Sequence, residues 1–313
     1  MGISIELSKY SNEHKIAWDE FLSKTEPGSV LHYRDYMDYH SNRFEDFSVC
    51  FWEYDELVAI IPGNSIENSW HSHQGLTFGG LITTTRDVSQ IIKLNLLLCE
   101  YLVKNSFTSS TITISPNSFW EKGNAEQIYA LNRINYKTVE VHLNQFIGMD
   151  RKMPPKKHSN ARAAERKGVT LSTSAHYLQE LYQLIDRNLL EKYDRKPVHT
   201  FPELKSLCES FPKKIEVFTM ILENEVVAGA VIFLSKYCLH IQYLAASNRG
   251  RTLRAQDLLI TKLDELAKQE NRNLSFGKST SGLDAALNEQ LFRFKSEYGA
   301  VPENIFTLTK TLS

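Results

Sequence analysis

Two stretches of this chain carry side chains whose types and spacing suit chemistry. The first is Ser247-Asn248-Arg249-Gly250-Arg251, with Arg254 close behind, where an apolar run gives way to a helical pattern. A helix N-terminus presents unpaired N–H groups and roughly half a positive charge, so it favours anions. Gly250 would let the backbone approach a ligand closely, and Arg249, Arg251 and Arg254 would add forked, charge-assisted hydrogen bonds. Basic residues at that end oppose the helix dipole by a few tenths to ~1 kcal/mol. Three of them need a reason, and a bound phosphate or carboxylate supplies one; the alternative is an ordinary helix start with solvated arginines. The second stretch is Phe292-Arg293-Phe294-Lys295. A lysine held beside a reacting carbonyl could stabilise a developing oxyanion or grip a phosphate; otherwise it is a surface lysine between core aromatics.

An amine that attacks a carbonyl must first lose a proton, which a nearby Glu, Asp, His or relayed water takes. His240, Tyr243 and Glu297 are the candidates. His240 and Tyr243 lie either side of Gln242 on a strand-like run, so both point into a cleft or both pack inward. His71 and His73 share one face of an extended chain, but no third ligand is in view, so no metal is expected. Gly79 and Gly80, with Gly75, suit tight backbone beside a substrate cleft or a structural turn. Arg151, Lys152, Lys156, Lys157, Arg162, Arg166 and Lys167 form a run with few compensating acids. It could contact a nucleotide diphosphate, a lipid-linked sugar phosphate or tRNA, Arg162 and Arg166 foremost, or stand as a solvated face. There is no P-loop, GxSxG or dinucleotide fingerprint.

The rest of the chain must position these groups. With 313 residues, 42% hydrophobic and 23% charged, it has the profile of a soluble globular protein with room for two domains. A formal net charge of −1 argues against a whole surface built for DNA or membrane, so any phosphate site is a local patch. The longest apolar run, residues 226–234, is far short of the ~20 residues that span a bilayer. The first residues show no signal-peptide core, and Glu6 breaks a myristoylation pattern. Cys50, Cys99, Cys208 and Cys238 are scattered, which fits reduced packing residues and a cytoplasmic location.

An internal repeat sets the architecture. Residues 47–66 and 215–235 each read as a β-rich run, a turn (Glu53-Tyr54-Asp55; Glu223-Asn224) and a second apolar run, which is hairpin grammar. Each hairpin is followed by a strand, a helical stretch and another strand, about 165 residues apart in the two copies. Helical material precedes each, with Leu178, Leu181, Leu184 or Ile185, and Leu189 sharing one face in the second. Between the copies, Pro154-Pro155 breaks the chain and a basic helix is expected from about Asn160.

That order is the grammar of the GNAT acyltransferase superfamily. The stretches HSHQGLTFGGL (71–81), ARAAERKGV (161–169), ENEVVAGAVIF (223–233), HIQYLAAS (240–247), RAQDLLITKLDELA (254–267), LSFGKST (274–280) and LFRFKSEYGA (291–300) resemble, in order, the double-GNAT proteins related to the Fem peptidoglycan aminoacyltransferases, especially their shorter acetyltransferase-like relatives. The resemblance implies an α/β (α+β) fold of two tandem GNAT-like domains, each a mixed, mostly antiparallel sheet flanked by helices. They would occupy residues 1–150 and 151–313, with the donor on the second. It implies an active-site position for the pair Phe294-Lys295, a place beside the substrate cleft for residues 71–81, and donor binding by Ser247, Asn248, Arg249, Gly250, Arg251 and Arg254. The implied activity is N-acyl transfer to an amino group of a cell-surface polysaccharide or nucleotide-sugar intermediate, with acyl-CoA as co-substrate and no tightly bound cofactor. The alternatives are a Fem-like transferase drawing on aminoacyl-tRNA and a non-catalytic scaffold holding a nucleotide sugar or partner. Two departures bear on the donor. Of the GNAT pyrophosphate loop [QR]-x-x-G-x-[GA], laid on 247–252, only Gly250 matches, and Ser275 stands where an Asp is common. The long helical arm of the Fem proteins is not visible.

Overall fold

The computed structural model describes residues 5–39, 42–281 and 284–313. The chain divides into two compact units: unit 1 is Met1–Leu143, Thr280–Ala286 and Glu303–Ser313, and unit 2 is Asn144–Ser279 and Leu287–Pro302. The division thus falls at 143/144, not 150/151, and the last strand belongs with unit 1, because its pairing partner there is a unit 1 strand.

Unit 1 runs β1 (Glu6–Lys9), α1 (Lys15–Lys24), α2 (Arg34–Asp38), β2 (Glu45–Asp46), β3 (Val49–Glu53), β4 (Glu56–Ile61), β5 (Asn64–Ile66), β6 (Ser69–His71), β7 (Ile82–Thr83), α3 (Val88–Lys104), β8 (Ser109–Thr113), α4 (Ala125–Arg133) and β9 (Lys137–Ile147). One sheet has the order β1-β3-β4-β7. In a separate ladder, β8 pairs in parallel with β6. The β3–β4 turn places Tyr54 and Asp55 at positive φ, the geometry of a two-residue hairpin whose twist matches its strands. Its apolar face closes on α3 through Val49, Phe51, Ile61, Leu94, Leu98 and Leu102.

Unit 2 takes up β9 at Asn144 and continues α5 (Pro155–Arg166), β10 (Thr170–Ser172), α6 (Leu178–Tyr193), α7 (Phe201–Ser210), β11 (Ile215–Leu222), β12 (Glu225–Leu234), β13 (Cys238–Ala246), α8 (Asn248–Leu253), α9 (Ala255–Gln269) and β14 (Asn273–Lys278). A short ladder of β15 (Thr280–Ser281) and β16 (Ala286–Leu287) precedes α10 (Glu289–Ser296) and β17 (Val301–Thr311). The order hairpin, strand, helix, strand recurs, with β5 and β6 inserted after the hairpin in the first copy, and the second hairpin turn repeats the first, with Glu223 and Asn224 at positive φ. The basic helix starts at Pro155, ahead of the expected Asn160, because proline is well tolerated at a first helical position whose N–H has no partner. Along α6, Leu178, Leu181, Leu184 and Ile185 are buried as the spacing requires, while Asn188 takes the innermost place ahead of Leu189. The core gathers Ala161 and Ala164 of α5, Leu259 and Leu263 of α9, and Val227, Ile232, Leu239 and Leu274 of the sheet.

Candidate active site

Unit 2 contains a pair of parallel strands that part. β13 and β14 face each other at Cys238↔Asn273, Leu239↔Leu274 and His240↔Ser275, and there the ladder ends although β13 continues to Ala246. On its other edge β14 pairs with β9, and the register slips between Ser275 and Gly277. The slip falls where the β13–β14 ladder ends, so the two strands part as a wedge whose apex is the His240–Ser275 pair. Gly277 sits in the wedge at φ 74°, a left-handed conformation that glycine adopts without cost. A Cβ there would also lie 3.3 Å from Cε1 of His240.

Lys295 reaches this wedge from α10 and is only 3% exposed. Its Nζ donates to the carbonyls of Gly277, at 2.8 Å, and Lys278, at 2.6 Å. No carboxylate among the described residues lies within ion-pair distance of it. Burial without a counter-charge disfavours the ammonium form, and its pKa falls from the usual 10.5 to about 7. The two carbonyls use two N–H bonds. A neutral Lys295 therefore keeps its lone pair aimed away from them, and a protonated one aims its third N–H the same way.

The surrounding hydrogen bonds hold this geometry. Gln145, fully buried on β9, donates to Ser296 Oγ at 3.0 Å and to the Phe292 carbonyl at 3.2 Å, which ties α10 to the sheet. Its Oε1 accepts from the buried Ser279 hydroxyl at 2.6 Å. At the apex, His240 Nδ1 is 3.1 Å from Ser275 Oγ, which also accepts from the Gly277 N–H at 3.3 Å. Burial first, and then the charge of Lys295, push the His240 pKa down to about 4, so its imidazole is neutral at pH 7. Gly277, Gln145 and Ser279 were not singled out from sequence, and Ser275 was noted only as a departure from the GNAT pattern. The glycine two residues after a serine in Ser275-Phe276-Gly277 was the available signal for a strand irregularity.

Of the expected proton acceptors, the structure brings only His240 to Lys295. The other two are engaged elsewhere. The Tyr243 hydroxyl accepts from the backbone N–H of His199 at 3.2 Å and lies 2.8 Å from its Nδ1. Tyr243 and His240 are three residues apart on β13, and a register slip lies between them. Glu297 is an exposed carboxylate that accepts from Lys157 Nζ at 3.0 Å. Lys157 in turn lies 3.2 Å from Asp257, whose other partners are the Tyr298 hydroxyl at 2.6 Å and Asn160 at 2.8 Å. Lys157 is thus a buried tie between α5, α9 and α10, not a member of a solvent-facing basic run. Phe294 is half-buried, its ring 5.3 Å from that of Tyr298.

The glycine-arginine loop is built differently from its sequence reading. A Cβ on Gly250 would stand 1.9 Å from the Val227 carbonyl oxygen. Glycine is therefore required there for α8 to pack against β12, whatever binds nearby. Ser247 caps α8, accepting from the Gly250 N–H at 3.0 Å. Arg249 pairs with Glu223 at 2.7 Å and Glu225 at 2.8 Å. Arg251 donates to the Ala246 carbonyl and to Asn248 and Asn188. Protein groups thus answer the charges for which an anion was expected. Arg254, at φ 65°, is exposed at the break between α8 and α9, and α9 has no side-chain cap.

The remaining candidates lie in other places. His71 closes β6 with its pKa lowered by burial. His73 is buried at φ 63° and does not continue the extended chain, so the two rings do not share a strand face. Gly79 bridges to Ile114, and Gly80 follows at φ 88°, both within unit 1. Arg162 and Arg166 are exposed on α5.

Comparison with known proteins follows the geometry. No protein-family model matches the chain, and a search of curated proteins gives no match. Solved structures do match over the full length. FemX is similar at 12% identity with a TM-score of 0.72, covering 98% of this chain and 97% of that one. L-PGS from Bacillus licheniformis is similar at 16% identity and a TM-score of 0.60, with coverage of 96% and 92%. A conserved protein of unknown function from Bacteroides thetaiotaomicron is similar at 8% identity and a TM-score of 0.60, with coverage of 99% and 100%. The chain therefore shares the fold of FemX, a mixed α/β fold. Among the described residues no helix is long and apolar enough to cross a membrane.

Proposed function

We propose that this protein is a cytoplasmic acyltransferase that forms an amide on an amino group of a cell-surface polysaccharide or nucleotide-sugar intermediate, in the wedge between β13 and β14. The observation that carries this reading is Lys295, a buried amine on two backbone carbonyls whose pKa sits near 7. A group poised at neutral pH suits proton transfer. Neutral Lys295 takes the proton from the acceptor ammonium. The freed amine nitrogen forms a C–N bond with the donor carbonyl, and the charged Lys295 faces the oxyanion that develops. Collapse breaks the bond to the leaving group, which takes the second proton shed by the attacking nitrogen, and Lys295 returns its own proton to solvent. Neutral His240 fixes the apex and keeps a second positive charge away from Lys295.

Acyl-CoA is the expected donor, supplied as a co-substrate. One observation favours the second reading, an aminoacyl ester of tRNA. The loop that would cradle a pyrophosphate spends Gly250 on the Val227 contact and Arg249 and Arg251 on protein partners. Incubating the protein with an amino-sugar acceptor and labelled acetyl-CoA, or labelled aminoacyl-tRNA, separates the two. We expect amide product with one donor and a turnover lowered roughly 100-fold or more in Lys295→Met. No product with either donor, together with no thermal stabilisation by acetyl-CoA or a UDP-sugar, would sink the reading. A ligand at about 100 times its Kd adds roughly 2.7 kcal/mol of stability.

A further inference from the structure

The strand pair at the apex of the wedge fixes where one imidazole carries its proton. Ser275 is fully buried on β14, and its Oγ accepts from the Gly277 N–H at 3.3 Å and from the Asn144 side-chain amide at 3.4 Å. A hydroxyl has two lone pairs and one proton. With both lone pairs engaged, the 3.1 Å contact to His240 Nδ1 is made by the hydroxyl proton. Nδ1 is therefore an acceptor, and the neutral ring carries its proton on Nε2. A serine beside a histidine can also be a nucleophile. Ser275 has no exposed surface and no uncommitted lone pair, so its hydroxyl orients the ring and does not attack.

The Nε2 edge of the ring lies in the wedge. A Cβ on Gly277 would meet His240 Cε1 at 3.3 Å and Nε2 at 3.9 Å, so that edge faces the Gly277 α-carbon. Lys295 donates to the carbonyl of the same glycine at 2.8 Å. The imidazole edge and the amine thus flank one residue, and His240 is half-buried, not sealed in the core. Its pKa of about 4 keeps the ring neutral at pH 7. A neutral imidazole donates a hydrogen bond without giving up its proton.

We propose that His240 donates its Nε2–H to the carbonyl oxygen of the acyl donor and stabilises the oxyanion that forms when the amine attacks. The assignment rests on the transferase reading above and gives His240 the opposite role from a proton acceptor. Lys295, once protonated, supplies charge to the oxyanion, while His240 supplies a donor already in place before the reaction begins. No bond to His240 is made or broken. On collapse the oxygen returns to a carbonyl and the ring keeps its proton.

Two measurements separate this assignment from the reading on which it rests. Nitrogen NMR of the ligand-free full chain with labelled histidine, His240→Gln identifying the resonance, reads the tautomer at neutral pH. We expect the Nε2–H form, and Ser275→Ala should turn it into a mixture of both tautomers. An Nδ1–H or doubly protonated ring in the wild type overturns the assignment, whatever the protein catalyses. Turnover with acetyl-CoA or aminoacyl-tRNA, whichever yields product, is the second measurement. His240→Asn keeps a partner for Ser275 but places no donor at the Nε2 position, and should lower kcat roughly 100-fold with the KM for the donor unchanged. His240→Gln, whose amide reaches that position, should stay within about tenfold of wild type. Equal turnover in all three proteins, or an equal fall in both variants with native circular dichroism spectra, overturns the role of His240 and leaves the transferase reading standing. No product from the wild type with either donor sinks both.

Discussion

The two copies of the hairpin-strand-helix-strand unit solve the same layout in different ways. In unit 1 the strand after the hairpin, β7, is two residues long and pairs with β4, while β8 pairs with β6 and β17 in another ladder. In unit 2 the corresponding strands, β13 and β14, pair in parallel and then part. The helices that follow differ too. α3 is capped by Asp87, which accepts from the Gln90 N–H at 2.9 Å and places a carboxylate at the positive end of the helix dipole. Its neighbour Arg86 is paired with Glu126 at 2.9 Å. In unit 2 the helix is split, α8 capped by a neutral serine and α9 by no side chain. The two buried lysines among the described residues, Lys157 and Lys295, both belong to unit 2. The difference teaches that unit 1 closes its helix start with a carboxylate cap and a paired arginine, whereas unit 2 keeps two strands that part and a buried titratable amine, the ingredients of the proposed chemistry.

Substitutions can break this comparison, beginning with the largest effect. Gly250→Ala forces a Cβ onto the Val227 carbonyl, a backbone contact that cannot rotate away. Denaturant unfolding should show a loss of ~3 kcal/mol or more; a neutral effect would mean that the glycine serves a ligand and not the packing of α8. Lys295→Met should change the pH dependence of stability. The folded amine has a pKa of about 7 and the unfolded one about 10.5, so between these values the unfolded chain binds more protons. Wild-type stability should therefore rise relative to the methionine variant as pH goes from about 7 towards 10.5. Parallel curves would refute the buried amine. Asp87→Ala should cost about 1 kcal/mol, the usual value of a helix cap, and it should leave acyl transfer unchanged. A loss of turnover beyond the loss of folded protein would bring unit 1 into the chemistry.

Sequence patterns made the repeat legible because hairpin turns and helix periods are local. Two acid-bearing turns, at Tyr54-Asp55 and Glu223-Asn224, were enough to place both hairpins. Lys295 was legible only through a resemblance, since nothing local distinguishes a buried lysine from a solvated one. The wedge was not legible, because it depends on a register slip between β14 and β9, strands separated by more than 120 residues. The protein partners of the arginine loop were not legible for a related reason. Its charges were weighed against the helix dipole alone, but Arg249 answers to Glu223 and Glu225 on the hairpin, and those acids become neighbours only when the sheet forms. The same holds for Lys157, which its sequence neighbours made part of a basic run and which the fold places between Asp257 and Glu297.

The central claim is that Lys295 is a buried amine poised near neutral pH. An NMR titration of 13Cε-labelled lysine, with Lys295→Met identifying the resonance, tests it most directly. The Lys295 signal should titrate with a midpoint at about 7, well below the usual 10.5 of a lysine. A midpoint near 10.5 for Lys295 would contradict the claim and remove the proposed proton acceptor from the wedge.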